Sequence, residues 1–396
     1  MVNLSWVLEK LFELHGTIPR WLWKDGRAFS PIHMLMEVTY RCNLRCNFCQ
    51  YLDIIEGKKD PYGPSQTDLS TADLTRWIDA FPRGRLISFT GGETLIRRDF
   101  PEILAYASRR HRVHIITNGA LIDEGMARRY VDLAPRWVWQ NGLVLLEISL
   151  QGDERTHDRV AQRKGSWQKA VDAMRHMVRF RAASGKRFPK FDLKLVVTQH
   201  TVGIMVEFMH LAKILGVDLV NFLAEHDLKG NAEGEQLRNL WRPQRPPEGV
   251  DPAFLRQQLI RCYELERQLG LQIRLTPNVP IDEFARHYTD DRELRDSEYV
   301  CEGVWSRLGL SADGRTGTVC PYFATGDMRQ LTLPEAWNGE ALRAFRSEVH
   351  DVGIYPGCNG CCNLKYVGSK RAGLLGVSED SPFERDAEPR VVRRSA

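Results

Sequence analysis

Six short apolar runs recur between residues 32 and 223, at 32–39, 86–90, 113–117, 143–150, 191–198 and 217–223. Amphipathic stretches fill most of the gaps, at 71–81, 99–110, 123–133, 167–183 and 202–215, and Gly216 is placed to end the last of them. Near-continuous apolar strands suit a sheet covered on both faces. Alternating strand and helix implies parallel strands joined by right-handed crossovers. Six units are two short of a closed eight-stranded barrel. The predicted fold class is therefore α/β: an open, partial (β/α)6 barrel, with a small C-terminal α+β domain after it.

The same pattern divides the chain. Residues 1–31 form an N-terminal extension with Trp6, Leu8, Leu11, Phe12 and Leu14 at roughly helical spacing, followed by Trp21 and Trp23. It reads as a helix packed on the main domain, or as an interfacial helix offering tryptophans to a lipid or a partner. Residues 32–225 hold the barrel. Residues 226–299 begin as a polar, proline-bearing connector and continue as a helix and a short strand at 272–275. Residues 300–365 carry a hairpin signal at Ser311, Ala312, Asp313 and Gly314. Residues 366–396 end in a basic tail with Arg390, Arg393 and Arg394.

Of nine cysteines, seven sit in tight or paired spacings, which points to metal ligation. Cys42, Cys46 and Cys49 follow the first strand directly with C-x3-C-x2-C spacing. Three thiolates on one loop can bind three irons of a [4Fe–4S] cube and leave the fourth iron open to a small molecule. Structural zinc is the competing reading. It wants four ligands, and the nearby His33 lies upstream on the predicted strand.

Polar residues gather at successive strand ends, where α/β proteins place ligands. The second strand closes in Thr90-Gly91-Gly92-Glu93, where two glycines permit close approach and a carboxylate can receive an ammonium group. The third closes in Thr117-Asn118-Gly119. The fourth closes in Ser149-Leu150-Gln151-Gly152, with Ser149 and Gln151 on one face by alternation. Each could be turn chemistry alone. Their recurrence on consecutive units favours a binding rim.

A second cysteine set comprises Cys301, Cys320, Cys358 and Cys361. Four thiolates can saturate another cube, and four-cysteine zinc is again the alternative. Cys362 could stand in for Cys361. Cys262, inside a predicted helix, reads as ordinary core.

Together these residues resemble the radical SAM superfamily. The resemblance rests on Cys42, Cys46, Cys49 and Phe48, on Thr90–Glu93, Thr117–Gly119 and 149–152, and on Thr156-His157-Asp158 leading to Lys164-Gly165-Ser166-Trp167. From Cys301 to Cys361 the chain resembles the SPASM and twitch modules. No cysteine follows Cys362, so the match is to the shorter, single-cluster form. The resemblance implies a [4Fe–4S] cluster whose open iron chelates S-adenosyl-L-methionine, and one-electron cleavage to a 5′-deoxyadenosyl radical. It also implies an auxiliary [4Fe–4S] cluster and an external electron donor such as flavodoxin or ferredoxin. By the same carry-over Gly91, Gly92 and Glu93 bind the SAM amine. Ser149 and Gln151 lie near its ribose or carboxylate, Thr117 and Asn118 on the same rim, and Phe48 near the adenine. Arg163 is a candidate partner for its carboxylate. Thr94 stands where relatives commonly have proline, and Gln151 where many have aspartate.

The net charge of +4 is small for 396 residues and makes no case for nucleic acid. No apolar run nears the roughly 20 residues of a bilayer span, and no secretory signal opens the chain. The expectation is a cytoplasmic enzyme. The reading of its function is oxidation or other modification of a small secondary metabolite, sugar or lipid, since only about 30 residues precede the first strand, few for a leader-peptide domain. A peptide-modifying enzyme is the alternative, and a non-enzymatic two-cluster electron carrier a remoter one. Glu225, His226 and Asp227 follow the sixth strand but read equally as connector polarity, so no catalytic residue is assigned.

Overall fold

The computed structural model describes residues 14–60, 67–225, 246–289, 294, 298–319, 324–359 and 361–368. All six predicted strands form: β1 (His33–Glu37), β2 (Leu86–Thr90), β3 (Arg112–Thr117), β4 (Gly142–Ser149), β5 (Lys190–Val197) and β6 (Leu219–Ala224). They pair in sequence order, every pair parallel. A seventh, β7 (Gln272–Thr276), continues the sheet parallel to β6. The sequence placed that strand in a connector; the sheet absorbs it.

Helices cover the outer face: α1 (Thr71–Ala80), α2 (Phe100–Ser108), α3 (Glu124–Asp132), α4 (Ser166–Ser184), α5 (Met205–Leu215) and α6 (Pro252–Leu269). Their ends follow from local chemistry. Ser70 and Asp73 form a reciprocal capping box on α1, and Asp123 accepts from Met126 N at the start of α3. Gly216 closes α5 with φ +75°. Met34, Met36, Ile87, Phe89, Val113, Ile115, Leu146, Ile148, Leu193 and Leu195 alternate along the strands into one core beneath these helices. Cys262 is fully buried in that core on α6.

The other edge of the sheet comes from the C-terminal region. Two strands follow the short two-stranded partner β8 (Tyr299–Cys301): β9 (Arg307–Leu310) pairs parallel to β1, and β10 (Arg315–Thr318) returns antiparallel through the predicted turn at Ser311–Gly314. β11 (Ala324–Asp327) completes a ten-stranded sheet, and β12 (Leu364–Tyr366) pairs with β8. Residues 14–22 are helical, while Trp6, Leu8, Leu11 and Phe12 lie outside the described residues. Among the described residues no helix is long and apolar enough to cross a membrane.

Candidate active site

The loop of Cys42, Cys46 and Cys49 leaves the C-terminal end of β1 and is tied down on both sides. Arg45 N and Asn47 N donate to the carbonyls of Ala161 and Val160, the end of the short helix Glu154–Val160. Arg163 Nη1 donates to Asn43 O at 2.9 Å, so this arginine grips the cysteine loop itself. Leu44 N donates to Cys42 Sγ at 3.4 Å. Phe48 is half-buried within the loop.

Burial pushes the Cys42 thiol up to about 11, with the charges of Glu93 and Cys49 adding to the effect. Burial likewise pushes Cys46 up to about 12, followed by the charges of Cys49 and Cys42. Each thiolate thus disfavours the next, a repulsion that a bound cation would relieve. No three His, Cys, Asp or Glu side chains among the described residues converge on a single-ion geometry. An iron–sulfur cube spreads its thiolates further apart than one zinc ion does.

The two glycines after β2 do what their position foretold, but the partner is the chain. A Cβ on Gly91 would lie 2.3 Å from Thr39 O, and one on Gly92 2.3 Å from Arg41 O and 2.6 Å from Tyr40 O. Gly92 N and Glu93 N donate to the carbonyls of Thr39 and Arg41. This backbone zipper locks the Gly91-Gly92-Glu93 turn to the entrance of the cysteine loop. Glu93 is buried, and its carboxylate accepts from Leu95 N (3.1 Å), Thr117 Oγ1 (2.6 Å) and Asn118 N (2.7 Å). Burial raises its pKa against the pull of these donors.

Ser149 ends β4 half-buried. Gln151 does not share its surroundings: it is 2 % exposed, and its Oε1 accepts from Val196 N on β5. Its Nε2 has no hydrogen-bond partner. His157 supports that turn, accepting from Gln151 N at Nδ1. Asp158 caps α4 through Gly165 N, Ser166 Oγ and Trp167 N. Glu225 N donates to Tyr288 Oη; His226 and Asp227 lie outside the described residues.

Of the second cysteine set, Cys301 ends β8 and is paired across to Leu364 of β12, which brings Cys361 and Cys362 beside it. Cys358 lies one turn before, in Pro356–Cys358. The Cys361 thiol is held high first by its hydrogen bond with Cys362, then by burial and by the charges of Cys362, Cys358 and Cys301. The same hydrogen bond, with the charges of Arg307 and Lys194, holds the Cys362 thiol down to about 6 against burial. Cys320 lies outside the described residues. Arg307 opens β9 and pairs with His33, the first residue of β1. The two cysteine sets therefore lie beyond opposite ends of β1, a strand spanning about 13 Å.

Comparison with known proteins accords with this layout. The radical SAM superfamily matches residues 36–182, and the SPASM iron–sulfur cluster-binding domain matches residues 301–362. The chain belongs to the radical SAM superfamily and carries a SPASM module. It is an enzyme whose cofactors are S-adenosyl-L-methionine, a [4Fe–4S] cluster and auxiliary iron–sulfur. Mycofactocin maturase MftC of Mycobacterium ulcerans is 32 % identical over 193 residues, 48 % of this chain and 46 % of that protein. The chain thus spans about half the length of the maturases it matches. PqqA peptide cyclase of Gluconobacter oxydans is 28 % identical over 78 % of this chain and 76 % of its own. AdoMet-dependent heme synthase of Nitratidesulfovibrio vulgaris is 25 % identical over 93 % and 94 %. In fold the chain is similar to Streptococcus suis SuiB bound to precursor peptide SuiA, with a TM-score of 0.57 at 14 % identity over 88 % of this chain and 73 % of that one.

Proposed function

We propose that this chain is a peptide-modifying radical SAM enzyme, with Cys42, Cys46 and Cys49 holding the SAM-binding cluster. Cys301, Cys320, Cys358 and Cys361 hold an auxiliary one. The reading rests on one arrangement: two sets of thiols flank a single barrel, so a substrate between them faces a radical source on one side and an electron acceptor on the other. The named relatives then favour a peptide over the small metabolite, sugar or lipid that the short N-terminal extension suggested. One of them is a peptide cyclase aligned over three-quarters of both chains.

When bound, the cofactors supply reductive SAM cleavage and the hydrogen-abstracting radical. The chain's own part is orientation. The zipper between Gly91-Gly92-Glu93 and Thr39–Arg41 fixes the rim on which SAM sits. Gly91, Gly92, Glu93, Thr117, Asn118, Ser149 and Phe48 line it, with Gln151 behind them, its carboxamide turned to Val196 N. Exposed Arg41 beside this rim suits an acidic electron donor such as flavodoxin or ferredoxin.

A second reading is chemistry on a non-peptide, heme-type substrate, favoured by the 395-residue alignment with the heme synthase. Anaerobic incubation with reductant, SAM and synthetic peptides encoded beside the gene decides between them by mass spectrometry. Peptide mass loss with matching 5′-deoxyadenosine supports the proposal. Conversion of a heme precursor, with every peptide untouched, overturns it.

A further inference from the structure

The end of the sheet away from the first cysteine loop carries a surface that the cofactor chemistry leaves unused. Because β1 to β6 are parallel, the turns that precede them share one end of the barrel. Hydrogen bonds sew these turns together: Gly84 N donates to Arg110 O, Arg112 N to Arg85 O and Gly142 N to His111 O, each at 3.0 Å. Lys186 Nζ ties the turn before β5 to the end of α3, donating to the carbonyls of Val131 at 2.8 Å, Asp132 at 3.0 Å and Ala134 at 2.8 Å.

Arginines crowd this end. Arg83, Arg109, Arg136 and Arg187 are exposed, and Arg85 and Arg112 are half-buried. None of the six has a carboxylate partner among the described residues. The neighbouring acids are engaged elsewhere: Asp79 pairs with Arg110 at 3.1 Å, and Asp218 with Arg181 and Lys190. Asp132, exposed at the end of α3, offsets one charge. A helix C-terminus attracts a cation. That accounts for Arg109 at the end of α2, but not for arginines on the turns before β2, β4 and β5.

Apolar side chains project from the same end. Trp137 and Trp139, on the turn before β4, stack with ring centroids 5.6 Å apart and planes 3° apart, yet remain 57 % and 73 % exposed. Gln140 holds that turn, its Oε1 accepting from Arg136 N at 3.0 Å and from Trp137 N at 3.1 Å. Val138 on the same turn and Ile214 at the end of α5 are exposed as well. The helical segment 14–22 adds exposed Ile18, Trp21 and Leu22, and its His15 Nε2 meets Ser30 O at 2.8 Å, just before β1. Of the nine large apolar side chains exposed among the described residues, Leu121 after β3 and Phe254 on α6 alone belong to the opposite, rim end.

We propose that this end docks on an anionic membrane surface, its tryptophans entering the headgroup layer and its arginines meeting lipid phosphates. Tryptophan settles at the bilayer interface with its ring at headgroup level. Basic residues around an apolar anchor add attraction to anionic lipid. A single-stranded nucleic acid would also meet arginines and aromatic faces, but it has no use for Ile18, Leu22, Val138 and Ile214. Seated this way, the cysteine loop at the other end of β1 faces away from the bilayer, and the rim stays open to soluble partners. The placement is independent of which substrate the rim receives.

The test is flotation of the anaerobically reconstituted holoenzyme with two kinds of vesicle, phosphatidylcholine alone and equal parts phosphatidylcholine and phosphatidylglycerol. The protein should float with the mixed vesicles only, and about 1 M salt, which shortens the screening length to about 3 Å, should release it. Affinity for the mixed vesicles should fall about fivefold for each of Arg83→Gln, Arg109→Gln and Arg136→Gln. Arg83→Lys should restore it. The double variant Trp137→Ala, Trp139→Ala should bind at least about tenfold more weakly. Full iron content and 5′-deoxyadenosine formation in every variant separate lost docking from lost folding. No flotation with the mixed vesicles overturns the proposal, as does flotation that the arginine and tryptophan variants leave unchanged. Retention of single-stranded DNA by protein that does not float would give the surface to nucleic acid instead.

Discussion

Glu93 and Asn118 are joined at 2.7 Å, Asn118 N donating to Glu93 Oε2. Asn118 Nδ2 in turn donates to Asn43 Oδ1 at 2.8 Å and lies 4.0 Å from Cys42 Sγ. The turns after β2 and β3 are thus one hydrogen-bonded unit with the loop of the first cysteine. Glu93→Gln would turn an amide donor towards one of the three groups that now donate to the carboxylate. The expected loss is about 1–3 kcal/mol of unfolding free energy, together with weaker SAM binding. Urea unfolding and SAM titration of the reconstituted protein check both. A variant matching wild type in both would remove Glu93 from the unit.

Gly92→Ala should cost about 3 kcal/mol or more, because the new methyl would sit 2.3 Å from Arg41 O and 2.6 Å from Tyr40 O, and backbone cannot step aside as a flexible side chain can. Gly203→Ala is the matched control: nothing lies within 4 Å of its Cβ position. Unfolding midpoints of the two variants should separate clearly, and iron incorporation should fall only in the first.

These two glycines show how far the sequence could be read. The βα alternation was legible because each strand buries two faces, and the first cysteine loop because its three thiols are local. What Gly91 and Gly92 approach was not legible, since Thr39–Arg41 lie some fifty residues away. The ion pairs of Glu147 with Lys194 and Arg274 on the inner face of the sheet have no local signal for a related reason. Glu147, Lys194 and Arg274 each look like ordinary alternation, and only parallel register brings them together. The pairing of β9 with β1 joins residues 307 and 33, a contact with no local signal. Alternation puts Gln151 on the face of Ser149, but the strand ends at Ser149 and the Gln151 carboxamide turns to Val196.

Acid should loosen the fold through two buried histidines. Burial lowers His114 to about 4 and His157 to about 4. Both are neutral in the folded state and protonate in the unfolded chain near 6.5. The unfolded state therefore binds more protons between those values. Their stabilisation is complete above 6.5 and is lost as pH falls towards 4, at about 1.4 kcal/mol per pH unit for each histidine. His114→Gln and His157→Gln should each reduce the slope of unfolding free energy against pH by about one proton. An unchanged slope in both would refute this assignment.

The choice between Cys361 and Cys362 as auxiliary ligand has a structural answer to test. Cys361 responds to the charges of Cys358 and Cys301, and Asn363 Nδ2 donates to its sulfur at 3.8 Å. The Cys362 thiol is held low first by its hydrogen bond with Cys361, with the charges of Arg307 and Lys194 adding to the effect against burial. Cys361 therefore has the thiols that would share a cube as neighbours and is half-buried, whereas Cys362 is exposed. Cys361→Ala should remove about four irons per chain, one cube's worth, while SAM cleavage at the first cluster continues without product. Cys362→Ala should keep its full iron. Iron and sulfide analysis of the anaerobically purified variants reads the difference, and the opposite pattern would assign the ligand to Cys362.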